Sequence, residues 1–173
     1  MINKINRIIT MFFFIIAVVL VMFFLNGMTI HTVAEKNIES HFLNEISQRG
    51  MAEGSVIEEY NYNNSKTIFF ENKKGQQAVA TYVKSLYCNQ WKLYYFLQLQ
   101  EGQQIQYDGS RIIIDDHIFQ YEMKYQLNEK SKLFVQPIEQ SKPLLAIRLF
   151  GIGVIVAAAV IGRIVGIYMQ RKK

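Results

Sequence analysis

Residues 8–25 read IITMFFFIIAVVLVMFFL, eighteen positions with no charge and Thr10 as the one polar interruption. As a helix such a run rises about 27 Å, close to the roughly 30 Å hydrocarbon core of a bilayer. Lys4 and Arg7 precede it. A second apolar block, residues 144–169, leads into Arg171, Lys172 and Lys173. It holds Arg148 and Arg163, each several residues inside one end, where a long side chain can reach the headgroups. The two blocks predict transmembrane helices over 8–25 and 144–169.

Charge is distributed to match. All 14 acidic residues lie between Glu35 and Glu139, and 12 basic ones run from Lys36 to Lys142, so the central segment is about −2. The other seven basic residues belong to the apolar blocks and their flanks. The net charge of +5 and the pI near 9.2 are therefore a topology signal, and no nucleic-acid partner is expected. Basic residues favour the cytoplasmic side. That rule puts residues 1–7 and 170–173 in the cytoplasm and the intervening domain outside, in a plasma-membrane protein. A cleavable signal peptide ending near Thr32-Val33-Ala34 competes with this reading, but the apolar run exceeds the usual 7–15 residues.

Between the blocks, Ile30, Ala34, Ile38, Phe42 and Ile46 recur every four residues, and Gly50 is a plausible stop. This predicts a stalk helix over 26–50 continuing out of the first span. Its apolar stripe would pack on the domain or on a second copy. From residue 51 to 142 the pattern predicts an α+β domain with a mostly antiparallel sheet. Strands are expected at 56–62, 66–71, 91–99, 105–107, 111–114, 119–127 and 133–136. Turns fall at Asn63-Asn64-Ser65, Glu101-Gly102, Asp108-Gly109 and residues 128–131, and Asp-Gly is a strong hairpin signal. Residues 76–88 read as one amphipathic helix, available to cover the sheet. Asn63-Asn64-Ser65 also matches the glycosylation sequon, although an Asn-rich turn accounts for it.

Recognisable chemistry is sparse. The sequence has no Gly-rich phosphate loop, nucleophile elbow or His-Glu-x-x-His pattern. His41 and Glu45 stand four apart, a spacing that offers two metal ligands or simply a solvated helix face. Asp115, Asp116 and His117 offer ion binding or a general base, against ordinary turn chemistry. Cys88 is the single cysteine, so an intramolecular disulfide is excluded, and a buried apolar role is expected for it. Tyr94 and Phe96 occupy the face of their strand opposite Trp91 and Tyr95. They are the candidate partner surface unless both faces are covered. Ala158, Gly162 and Gly166 form a small-residue stripe that lets another helix approach.

These features predict a non-enzymatic two-pass membrane protein with no cofactor and no metal. Its partners would be the lipid bilayer and other membrane subunits or a second copy, as in an accessory or scaffold subunit of a secretion, conjugation or transport complex. The element order (span, stalk helix, small α+β domain, span) resembles the extracytoplasmic Cache and PAS-like sensing domains. That resemblance implies ligand sensing, with output through helix contacts to a partner. A membrane-anchored metal-dependent hydrolase resting on Asp115 and Asp116 is the third class.

Overall fold

The computed structural model describes the backbone of residues 2–99, 110–127 and 133–171, and the side chains at 8, 11–12, 14–98, 112–124, 142–157 and 160–161. The fold is α+β with antiparallel sheets. Helix α1 (Ile2–Leu25) opens it and α3 (Leu144–Arg171) ends it. One sheet has the order β1-β5-β4-β3-β2, from β1 (Val33–Ala34), β2 (Gly54–Tyr62), β3 (Ser65–Asn72), β4 (Gln77–Lys84) and β5 (Gln90–Leu99). The other has the order β6-β7-β8, from β6 (Ser110–Asp115), β7 (Gln120–Leu127) and β8 (Leu133–Lys142). Helix α2 (Ile38–Gln48) lies on the first sheet.

The first sheet is the middle layer. On one face Ile38, Phe42 and Ile46 of α2 meet Ile68, Phe70, Ala78, Ala80, Tyr82 and Trp91. On the other, Phe69, Val79 and Val83 meet Ile114, Tyr121 and Met123 of the second sheet. Two apolar clusters on opposite faces explain why β4 is buried at six successive positions. They also correct the expected helix over 76–88, which is largely strand. A central strand covered on both sides reads as a continuous apolar run, and such a run can imitate helical spacing.

The expected continuous stalk over 26–50 is also corrected. Helix α1 ends in a Schellman turn: the Met28 N–H donates to the Phe23 carbonyl at 2.9 Å and the Gly27 N–H to the Phe24 carbonyl at 3.1 Å. Gly27 takes the left-handed φ of 70° that this turn requires. The chain then runs through β1 and a 3-10 turn, Glu35–Asn37, before α2 begins. The stop at Gly50 is found as expected. Its φ is 76°, the Met51 N–H donates to the Ile46 carbonyl, and both side chains join the core. The stripe of α2 packs on its own domain.

Strand β5 changes phase midway. Thr81 pairs with Tyr95, but Tyr82 pairs with Leu93, leaving Tyr94 as a bulge. Trp91 and Leu93 before it, and Phe96 after it, therefore face α2, while Tyr95 and Leu97 face the second sheet. Strand β8 runs to Lys142, beyond the expected end at Gln136, and leads through Pro143 into α3. The expected turns at Glu101-Gly102 and Asp108-Gly109, the strand at 105–107 and the turn at 128–131 lie outside the described residues.

Two transmembrane helices over 8–25 and 144–169 are not supported by these helices as described. Among the described residues, no helix is long and apolar enough to cross a membrane. Unbroken runs of described side chains cover only 14–25 in α1 and 144–157 in α3, each shorter than a span.

Candidate functional site

The polar side chains converge at one corner, where α1 ends, α3 begins and the β6–β7 turn meets both. That turn is built by its own carboxylates. Asp116 is fully buried, and its carboxylate accepts the backbone N–H groups of Ile118 (3.0 Å), Phe119 (2.6 Å) and Asn64 (3.1 Å). Burial pushes its pKa above the usual carboxylate value despite those three donors. The Asn64 side chain donates to the Lys84 carbonyl at 2.6 Å and to the Asp116 carbonyl at 2.9 Å, joining the β2–β3 hairpin to the turn. Asp115 accepts from the His117 N–H at 2.9 Å and pairs with Arg148 Nη2 at 2.8 Å. The candidate ion cluster is thus turn chemistry plus an ion pair.

Arg148 ties three elements. Besides Asp115, its Nη1 donates to the Leu25 carbonyl at 2.9 Å and to the His117 carbonyl at 3.5 Å. An orphan carbonyl at the end of α1 is thereby capped by a cation from α3. Leu86 completes the corner by donating its N–H to Asn26 Oδ1 at 2.9 Å.

His117 sits in the turn at a left-handed φ of 73° and is 4% exposed. Its Nε2 lies 3.0 Å from His31 Nε2, and His31 Nδ1 lies 3.0 Å from Asn26 Nδ2. His117 Nδ1 is buried with no hydrogen-bond partner among the described residues. It lies 3.7 Å from Asp115 Oδ1, beyond hydrogen-bond range. Burial lowers the His31 pKa against a hydrogen bond with the Thr29 backbone, and Lys92 lowers it further. Burial first, then His31, Arg148 and Lys92, brings His117 down to about 4 against the pull of Asp115. Both rings are neutral at pH 7.

The other sequence candidates lie elsewhere. His41 Nδ1 is 3.0 Å from the Tyr82 hydroxyl and Glu45 pairs with Arg49 at 3.3 Å, so the i,i+4 pair is engaged separately. Among the described residues, no group of three or more His, Cys, Asp or Glu is placed to hold a metal. Cys88 is exposed, which corrects the buried role expected for it, because the chain turns out of the sheet after Lys84. Asn63 is exposed in its turn at a φ of 49°, while Ser65 is buried against Tyr121 at 2.6 Å.

Tyr94 and Phe96 are separated by the phase change. Tyr94 stays 42% exposed. Phe96 packs on Phe42 and has the Arg49 guanidinium 4.1 Å from its ring centroid. Ala158, Gly162 and Gly166 fall within the span of α3 but lie outside the residues whose side chains are described. Sequence reasoning missed His31, Asn26 and Arg148 as partners of the turn. The Asn26-Gly27 pair directly after the apolar run was the available signal, because it marks a helix stop. No protein-family model matches the chain, and no curated protein or solved structure is significantly similar to it.

Proposed function

We propose that the chain is a non-enzymatic membrane protein, in which α1 and α3 cross the plasma membrane side by side and hold the central domain outside the cell as an interaction module. One observation carries this reading. Residues 14–24 are all apolar and all exposed, around the whole circumference of α1. Water is a poor solvent for such a surface and lipid a good one. The sequence stays uncharged over the eighteen residues 8–25, and Phe150 and Ile155 of α3 are comparably exposed. The polar corner then falls at the outer boundary of the bilayer, with Asn26 and Arg148 at headgroup level.

An accessory or scaffold subunit of an envelope complex is the role this supports best. Ligand sensing is the second reading, favoured by the corner itself, which ties a domain loop to the ends of both helices. The test is alkaline-carbonate extraction of native membranes, then purification in mild detergent and mass spectrometry of whatever co-purifies in fixed ratio. Retention in the membrane with stoichiometric partners that dissociate on Gly162→Leu supports the scaffold. Release by carbonate refutes the membrane reading, and recovery of the bare protein moves the weight to sensing.

A further inference from the structure

The His31–His117 contact has a direction that can be worked out from one unambiguous donor. The Leu86 backbone N–H can only donate, so it fixes the Asn26 amide with Oδ1 toward Leu86. Asn26 Nδ2 is then the donor to His31 Nδ1, which places the single ring proton of neutral His31 on Nε2. That proton is donated to His117 Nε2, and the proton of His117 must sit on Nδ1, the buried nitrogen that lacks a partner. Every nitrogen in the chain of contacts has one assigned role.

We propose that this pair is a proton-released latch, holding the β6–β7 turn against the end of α1 while both imidazoles are neutral and letting go when either takes a proton. A proton added to His31 Nδ1 would face the Asn26 N–H. Added to His117 Nε2, it would face the His31 N–H. Either position converts an accepting nitrogen into a donor opposite a donor, so one link is lost wherever the proton goes.

The charged groups around the pair offer a new cation little relief. Arg148 from α3 and Lys92 from β5 are already positive. Asp115 is the acidic neighbour, but its Oδ2 holds Arg148 at 2.8 Å and its Oδ1 takes the His117 N–H. Asp116, next in the chain, is turned into three backbone donors. A side chain at position 27 cannot fill in, since a Cβ on Gly27 would come within 2.9 Å of His117 Nδ1.

The acidity constants agree in direction, because both imidazoles are held below 6.5 while closed and would relax upward once in water. The latch is closed at neutral pH and opens as the medium acidifies from 6.5 toward 4. The chemistry of the pair does not depend on the membrane reading. Only its effect does, since opening would uncouple the domain loop from two membrane helices.

The test uses the full chain in mild detergent with a chelator present. Two-dimensional NMR of the imidazole nitrogens at pH 7.5 should show the proton of His31 on Nε2 and that of His117 on Nδ1. Any other tautomer pair overturns the proposal without recourse to a variant. Amide exchange over residues 26–32 and 115–119, corrected for intrinsic rate, should then show on the order of tenfold more opening at pH 5 than at pH 7.5. The double variant His31→Gln, His117→Gln, checked for native near-ultraviolet dichroism, should lose that pH response. Equal protection of the wild type at both pH values, or an undiminished response in the variant, refutes the latch. A chain that carbonate releases from membranes gives the same two readouts in plain buffer, so the latch and the membrane reading fail separately.

Discussion

Replacing Asp116 by Ala tests how the corner is held. Its carboxylate satisfies three backbone N–H groups, those of Asn64, Ile118 and Phe119, at a position with no solvent exposure. Removing it leaves three buried donors without acceptors, each costing roughly 1–3 kcal/mol. A water admitted to the vacated space recovers part of that. We expect a loss of about 3–5 kcal/mol, a large share of the 5–15 kcal/mol typical of a folded domain. Asp116→Asn should cost less, about 1–3 kcal/mol. Its amide oxygen can still accept from Ile118 and Phe119, but its NH2 would then oppose the Asn64 N–H. Urea unfolding of the full chain in mild detergent at pH 7.5 reads these differences through Trp91, the single tryptophan, which is buried under α2. An alanine variant within about 1 kcal/mol of wild type, or an asparagine variant less stable than the alanine one, would refute the assignment of these three bonds as the anchor of the turn.

Phe42→Ala should destabilise by about 3–5 kcal/mol in the same assay, because a fully buried ring against Phe70 and Phe96 is removed. Stability should fall on acidification. The His117 imidazole is near 4 when folded against 6.5 when free, so the unfolded chain binds the proton first. Its contribution is complete above pH 6.5 and is lost toward pH 4, the loss amounting to about 2 kcal/mol at pH 5, with His31 acting in the same direction and Asp116, held above its usual carboxylate value, in the opposite one. A melting temperature flat from pH 7.5 to 5 would contradict that sign. Cys88 is exposed, so under the proposed topology a membrane-impermeant maleimide should label it in intact cells, and labelling that requires lysis would place the domain on the other side.

Much of the sheet was legible in the sequence because its strands announce themselves locally. Strands β2 and β3 flank an Asn-Asn turn, and β7 alternates Tyr121, Met123 and Tyr125 with polar residues. Gly50 marked the end of α2 for a reason that is equally local. The misreadings have the opposite character. Strand β4 lacks a wet face because α2 covers one side and the second sheet the other, so its sequence has no period to show. The bulge at Tyr94 moves Phe96 to the α2 face, and alternation alone cannot register an inserted residue. His31 and His117 stand 86 positions apart and meet only because the Gly27 turn and the β6–β7 turn are brought to the same corner. The site depends on tertiary placement, whereas its components were individually visible as a turn, a cap and two imidazoles.

The two sides of this corner differ in mechanical strength. Beyond α1, the chain joins the first sheet through β1, which is two residues long and pairs Val33 with Trp91 and Ala34 with Gln90, with one further bond from the Thr32 N–H to the Trp91 carbonyl. Before α3, it leaves through β8, which has ten residues and an extended ladder to β7. A force drawing the helices apart first loads the bonds from Arg148 to the Leu25 carbonyl and to Asp115. Once those part, β1 yields long before β8. The first surface uncovered under tension is the apolar face beneath α2.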